Sequence, residues 1–253
     1  MNRSVDLEVD FHVHSEASYD GHEPVELILE HAADIGLDAV VVTDHDVIHA
    51  SLDAAVLAEE YGLVGIPGVE ISTAEGHLLA IGVEEMPESG QSMGETVAAV
   101  DDLGGASIVP HPFQRTRHGV RKRRLNGVDP DAIETFNAWL FTGYRNRRAR
   151  RYATRYGYPA VGGSDAHSLL TVGRAYTELT VEKPFNEIDS DDIVAAIQRG
   201  NTGVRGQRAS IQRASGHYAK AAGRKTAWGM KTALKKSGSG ARHVAAAAAM
   251  PFR

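Results

Sequence analysis

The sequence predicts an α/β fold in which parallel strands alternate with crossover helices. Three observations lead there. Short apolar runs of strand length alternate with segments of helical period from Val5 to Gln198. Residues able to ligate metal recur at the C-terminal ends of most predicted strands, the rim on which βα barrels build their active sites. The 253 residues, 42% of them hydrophobic, suffice for one barrel-sized domain as readily as for two domains.

Taken in order, Val5 to Val13 reads as a strand. Pro24 to Ile35 reads as a helix, with Pro24 suited to a first turn and Gly36 to a stop. Ala39 to Thr43 is a buried strand, and Ser51 to Tyr61 a helix. Leu63 to Ile71 and His77 to Val83 are strands separated by a turn at Glu75-Gly76. The helical segment Thr96 to Leu103 ends at Gly104-Gly105, and the next strand is Ala106 to Val109. Ile133 to Phe136 is a strand, Tyr144 to Tyr156 a helix and Pro159 to Val161 a strand. Arg174 to Val181 and the helix Asp191 to Gln198 close the series. After Gly200 the periodicity weakens, and Gly, Ser, Ala, Lys and Arg dominate through KKSGSGAR and a run of five alanines. The expected division is a domain over residues 1–205 and a basic extension, partly helical or disordered, over 206–253.

Composition narrows the function. No stretch of 18 apolar residues occurs, so no membrane partner is expected. The N-terminal residues read as a strand rather than a signal peptide, and the expected location is the cytoplasm. Cysteine is absent, so any metal is held by nitrogen and oxygen. The net charge of -6 hides an asymmetry: up to Gln114 the only Lys or Arg is Arg3, and after Asp192 no acidic residue occurs. The basic extension is thus a candidate to meet nucleic acid or an acidic partner, or else a solvated segment lying back on the acidic body.

The chemistry sits in the polar residues at strand ends. Asp10, His12 and His14 alternate along the first strand and so share a face, from which two His can reach one metal. Asp20 lies in a turn with Gly21. Asp44, His45 and Asp46 end the second strand and Glu70 the third. His77 begins a strand, the exception to the placement, and His111, Asp165 and His167 follow later strands. Any one of these has an ordinary structural reading. Nine of them together do not, because burying that many ionisable groups without metal is costly. No Gly-rich loop follows the first strand, which disfavours P-loop and Rossmann enzymes.

These residues resemble the PHP (polymerase and histidinol phosphatase) superfamily. The resemblance rests on D-x-H-x-H at 10–14, S-x-D-G at 18–21, GLDAVVVTDHD at 36–46, GVEIS at 68–72, HPF at 111–113 and GSDAH at 163–167, in order over roughly residues 5–200. It is closest to the small stand-alone phosphoesterases that act on nucleotides and short RNA. It implies a distorted (β/α)7 PHP-type barrel, here with a basic C-terminal extension, and a trinuclear site at its rim. Carried over, it puts His12, His14, Glu70 and Asp165 around one metal. Glu70 bridges to a second with His77 and His111, and Asp20, His45 and His167 hold a third. Asp10, Asp44 and Asp46 are expected to orient ligand His rings.

The implied cofactors are two or three divalent ions, for which Zn, Mn and Fe all suit the donors. The expected reaction is hydrolysis of a phosphate ester of a nucleotide or of a short RNA or DNA end by a metal-bound hydroxide. His167 or Asp44 is the candidate for moving protons. Arg115 and Arg117, in the cationic loop after His111, are the candidates for binding substrate phosphate. Two alternatives stay open: a small-metabolite phosphatase of the histidinol-phosphatase type, and a metal-bound non-catalytic module of nucleic-acid machinery.

Overall fold

β1 (Val5–Val13) is the strand on which the site is built. The computed structural model of the chain describes residues 4–114, 118–139 and 143–206. The first half of β1 alternates between buried and accessible positions, and its last five residues are all buried. The charged groups at 10 and 12 are therefore carried into the interior by the strand itself.

α1 (Val25–Ile35) follows, stopped by Gly36 in the left-handed conformation at φ 90°, with its N–H turned back to the carbonyls of Ala32 and Ala33. β2 (Ala39–Val42) leads into α2 (His49–Leu57), which tightens into a 3-10 turn at Ala58–Tyr61. β3 (Gly68–Ser72) and β4 (His77–Ile81) come next. α3 (Met93–Asp102) begins with a capping box between Ser92 and Glu95, and β5 (Ala106–Val109) follows. A 3-10 turn at Lys122–Arg124 precedes β6 (Ala132–Asn137), α4 (Gly143–Tyr156) and β7 (Ala160–Gly163). β8 (Ala175–Val181), α5 (Ser190–Arg199) and β9 (Thr202–Gly206) complete the described chain. α5 opens with a second capping box, Asp189 with Asp192.

Two expectations are corrected. The strands are not uniformly parallel. β1 pairs parallel with β2, and β6 pairs parallel with both β5 and β7. β3–β4, β4–β5, β1–β8 and β8–β9 are antiparallel. The short connection between β3 and β4 admits a hairpin but no crossover helix.

The strands also do not close into a barrel. They form a four-stranded sheet, β2-β1-β8-β9, and a five-stranded sheet, β3-β4-β5-β6-β7. Isolated parallel bridges, His45 with Glu70 and Val13 with Ala166, join the seams at the site end. Side chains take up the edge groups that a continuous ladder would use. Ser51 Oγ accepts the N–H of Gly68 at 2.7 Å, Thr177 Oγ1 accepts that of Gly162 at 2.9 Å, and Asp10 Oδ1 accepts that of Ser164 at 2.9 Å. Both sheets nonetheless share one apolar cluster, in which Leu7, Phe11 and Leu179 of the first meet Leu79 and Ile108 of the second together with Ile193 and Ile197 of α5.

β9 was not expected. Its sequence, TGVRG, has one apolar side chain and two glycines, and backbone pairing with β8 defines it. The basic extension lies outside the described residues.

Candidate metal centre

All nine proposed ligands converge on one place, and Glu70 is at its middle. Its Oε2 lies 3.2 Å from His12 Nε2 and 3.3 Å from both His14 Nε2 and His45 Nδ1. Its Oε1 lies 2.8 Å from His77 Nδ1 and 3.1 Å from His111 Nε2. Five imidazoles from both sheets thus surround one fully buried carboxylate. Asp20 Oδ2 lies 2.9 Å from His167 Nε2 and 3.4 Å from His45 Nε2. Asp165 Oδ1 lies 3.7–3.8 Å from the Nε2 atoms of His14 and His12.

The donor atoms form four overlapping groups, each within 4.8 Å: His14, Asp20, His45 and His167; His12, His14 and Asp165; His12, Glu70 and His111; His45, Glu70 and His77. The geometry places His14 beside the Asp20 group as well as beside Asp165.

The donor set fits divalent metal. Both ring nitrogens of His14 are buried without a hydrogen bond, as are Nδ1 of His45 and Nδ1 of His111. Such orphaned acceptors call for an ion or water. Burial pushes His14 down to about 3; the charge of Glu70 opposes this, and that of His12 adds to it. His14 is therefore neutral, the form that ligates. His12 goes the other way. Burial would lower it, but the charges of Glu70, Asp165 and Glu134 outweigh burial and hold it well above the ordinary value. Burial works against ionised Glu70 too, and loses to His12, His111 and His77, so Glu70 stays well below the usual carboxylate range.

The carboxylate that faces the His12 ring is Glu134, at 3.1 Å from Nδ1. Its other oxygen accepts the backbone N–H of His111 at 2.6 Å and Asn137 Nδ2 at 3.0 Å. Asn137 Nδ2 also reaches Asp165 Oδ2 at 3.0 Å. Sequence reasoning missed both residues. The signal for Glu134 was there: a charge inside an otherwise uncharged, buried strand is seldom unpaired. Gly163 permits the approach, since a Cβ there would come within 2.6 Å of Glu134 and 2.7 Å of His12.

Asp10, Asp44 and Asp46 hold backbone and hydroxyl groups. Asp10 accepts N–H groups of Ser164, Gly173 and His12, and burial raises it to about 6 despite those bonds. Asp44 accepts the N–H and hydroxyl of Ser15 at 2.7 and 2.6 Å. Asp46 accepts the N–H of Ser72 at 2.8 Å. Asp46, His111 and Asp165 all have positive φ, at 53°, 29° and 53°, and such strain collects at functional sites.

Two aromatic rings border the centre. Tyr19, 79% exposed, stacks on His45 at 4.8 Å, and Trp139 lies 5.1 Å from His167. A cavity of about 430 Å³ opens beside His77 and is lined by His118, Arg121, Arg123 and Arg124 among others. Arg115 and Arg117 lie outside the described residues. No helix among the described residues is long and apolar enough to cross a membrane.

Residues 10–101 match the PHP domain, and residues 143–202 match the PHP-associated family. An uncharacterized protein of Methanocaldococcus jannaschii is 29% identical over 153 residues, 56% of this chain and 89% of its own length. The phosphoribosyl 1,2-cyclic phosphate 1,2-diphosphodiesterase of Eggerthella lenta is 37% identical over 82 residues, 30% of this chain and 31% of its own length. A two-domain protein from Bacteroides vulgatus, containing a predicted PHP-like metal-dependent phosphoesterase, shares the fold with a TM-score of 0.65 at 20% identity, over 86% of this chain and 70% of that one.

Proposed function

The chain belongs to the PHP family of metal-dependent phosphoesterases, and from that premise we propose that it hydrolyses a phosphate ester of a nucleotide or of a short RNA or DNA end. The observation that carries the substrate class is the rim. Exposed Tyr19 and Trp139 flank His45 and His167, and arginines line the adjoining cavity. Aromatic faces suit a base, and guanidinium forks suit phosphate. The Eggerthella relative is named for a phosphoribosyl cyclic phosphate, a sugar phosphate without a base, which supports phosphate-ester cleavage but not the choice of a base-bearing substrate.

His12, His14, Asp20, His45, Glu70, His77, His111, Asp165 and His167 would hold two or three divalent ions, with Zn, Mn and Fe as candidates. Bound there, such ions supply an acidified water and positive charge against the phosphoryl oxygens. The chain's own part is orientation. Glu134 fixes the His12 ring, and Asn137 fixes Asp165. The Asp165 carbonyl accepts from His167 Nδ1 at 2.9 Å, which turns Nε2 toward Asp20. Asp44 is committed to Ser15, so it positions the loop after β1, and His167 is the candidate for moving a proton.

The test is hydrolysis by metal-reconstituted protein of phosphate mono- and diesters, covering nucleotides, short oligonucleotides and small-metabolite phosphates. Nucleotide or oligonucleotide turnover above metabolite turnover is expected. A preference for metabolite phosphates would replace the substrate class. No turnover with any metal would remove the catalytic reading.

A further inference from the structure

The surface beside the metal centre carries a ridge of cations built from two segments that contain no acidic residue, although Glu75 shares the lining of the cavity they reach. The 3-10 turn Lys122–Arg124 and the preceding Arg121 form one end, and α4, with the sequence GYRNRRARRYATRY, forms the other. Lys122 joins them, its Nζ 5.5 Å from the Tyr156 ring and 6.0 Å from that of Tyr152. Arg148 lies over Phe113 at 4.5 Å, and Arg155 over Tyr156 at 5.8 Å. Arg145 donates to the Phe113 carbonyl at 2.6 Å, which ties α4 to the loop that begins at His111.

These side chains are placed for a partner. Arg121, Arg123, Arg124, Arg148, Arg151 and Arg155 are exposed. The ion pairs of Lys183 with Asp192 and of Arg205 with Glu178 lie elsewhere. The aromatic rings hold several cations in fixed positions, so less entropy is lost on binding than with free surface arginines. The ridge runs into the cavity beside His77, a member of the ligand cluster.

The geometry points to a polynucleotide strand as the occupant: the ridge holds several successive phosphates of its backbone while the end of the strand lies at the metal centre. This rests on the phosphoesterase reading and adds that the substrate is longer than a mononucleotide. A chain of phosphates matches a row of cations that leads to a phosphate-cleaving site, and cations interleaved with aromatic rings suit single strands. An acidic protein or an anionic membrane would need no such connection to the metals.

The experiment uses the full chain and two combined variants, Arg148→Glu/Arg151→Glu/Arg155→Glu and the milder Arg→Gln set at the same positions. Binding of a fluorescent single-stranded DNA 12-mer and RNA 12-mer is measured in EDTA across salt concentrations. kcat/KM is measured with metal for the oligomers and for a mononucleotide. Each lost phosphate contact should flatten the logarithmic salt slope by about 0.7, so three should flatten it by about 2. Oligomer kcat/KM should fall on the order of a hundredfold in the Glu set, and less in the Gln set, with mononucleotide turnover unchanged. Equal oligomer binding by parent and variants overturns the proposal. So does equal binding of vesicles containing phosphatidylserine and of DNA, or an oligomer kcat/KM no higher than the mononucleotide value. The EDTA arm keeps this inference separate from the phosphoesterase reading, since it needs no turnover.

Discussion

His12 and Glu134, 122 residues apart in sequence, face each other at 3.1 Å with both side chains fully buried. A carboxylate behind a ligand ring fixes its tautomer and raises its basicity, and losing one costs about 10–100-fold in metal affinity. Glu134→Gln should therefore weaken metal binding by about that factor while the protein stays folded. Glu134→Ala should also destabilise it, because the His111 N–H and the Asn137 amide lose an acceptor, at about 1–3 kcal/mol for each group left unsatisfied. Metal titration and thermal denaturation of both variants check this. Unchanged metal affinity in both would remove the orienting role.

Glu70→Gln should abolish metal binding and activity together. The amide keeps the size and loses the charge around which five imidazoles gather within 3.3 Å. Normal metal content with normal turnover in this variant would refute a bridging position.

Metal removal should lower Tm, and the gap between loaded and chelated protein should widen as pH rises. His12 is held above its ordinary value in the metal-free fold. Its contribution to metal-free stability is therefore complete below about pH 6.5 and is lost as pH rises through the raised folded value. Loading must expel that proton, so metal affinity rises with pH over the same window. A saturating ion, at about 100 times its Kd, adds about 2.7 kcal/mol. Tm measured with metal and with chelator from pH 6 to 8.5 decides it; a constant gap would argue against proton competition.

Arg117→Ala, and to a smaller degree Arg115→Ala, should impair substrates carrying a neighbouring phosphate far more than a simple aryl phosphate. Loss of one charge-assisted contact costs about 1.5–3 kcal/mol, roughly tenfold to a hundredfold. Metal content should not change, since Arg offers no lone pair to an ion. The comparison is kcat/KM on both substrates, and equal losses would leave a general phosphate role only.

The convergence of the candidate donors was legible because chemistry restricts them. Few residue types bind metal, and strand ends announced where they stand. Glu134 and Asn137 were not legible in the same way, because their function is to hold other side chains and no spacing marks that. Strand pairing was partly hidden for a similar reason. Apolar runs mark a strand but not its direction; the β3–β4 connection, too short for a crossover, announces its hairpin, and the other antiparallel pairs carry no such mark. Closure failed as an expectation because Ser51, Thr177 and Asp10 occupy edge groups with their side chains. β9 carries too little apolar material to be seen.

That strand sets the limit of truncation. Ending the chain after Gly206 should leave phosphomonoester hydrolysis nearly intact, because every proposed ligand precedes it. Ending it after Gly200 should destabilise the protein, because β8 loses its ladder from Ala175 to Leu179 and exposes a bare edge. Denaturation midpoints and hydrolysis rates of the two truncations test this, and equal stability would assign β9 no structural part. If the basic extension binds nucleic acid, the truncation after Gly206 should also flatten the salt dependence of oligonucleotide binding.

The two seams between the sheets have a consequence for how the protein reaches its working form. His12, His14 and His45 belong to one sheet or its loops, while Glu70, His77, His111 and Asp165 belong to the other. An ion shared by such donors would rivet the site end of the seam, while the apolar cluster common to both sheets holds the rest together without it. Protein made in metal-starved cells would then keep its fold and differ in the rigidity of that end as well as in catalytic power. Amide exchange would be fast along the Val13–Ala166 and His45–Glu70 bridges before loading and slow after it.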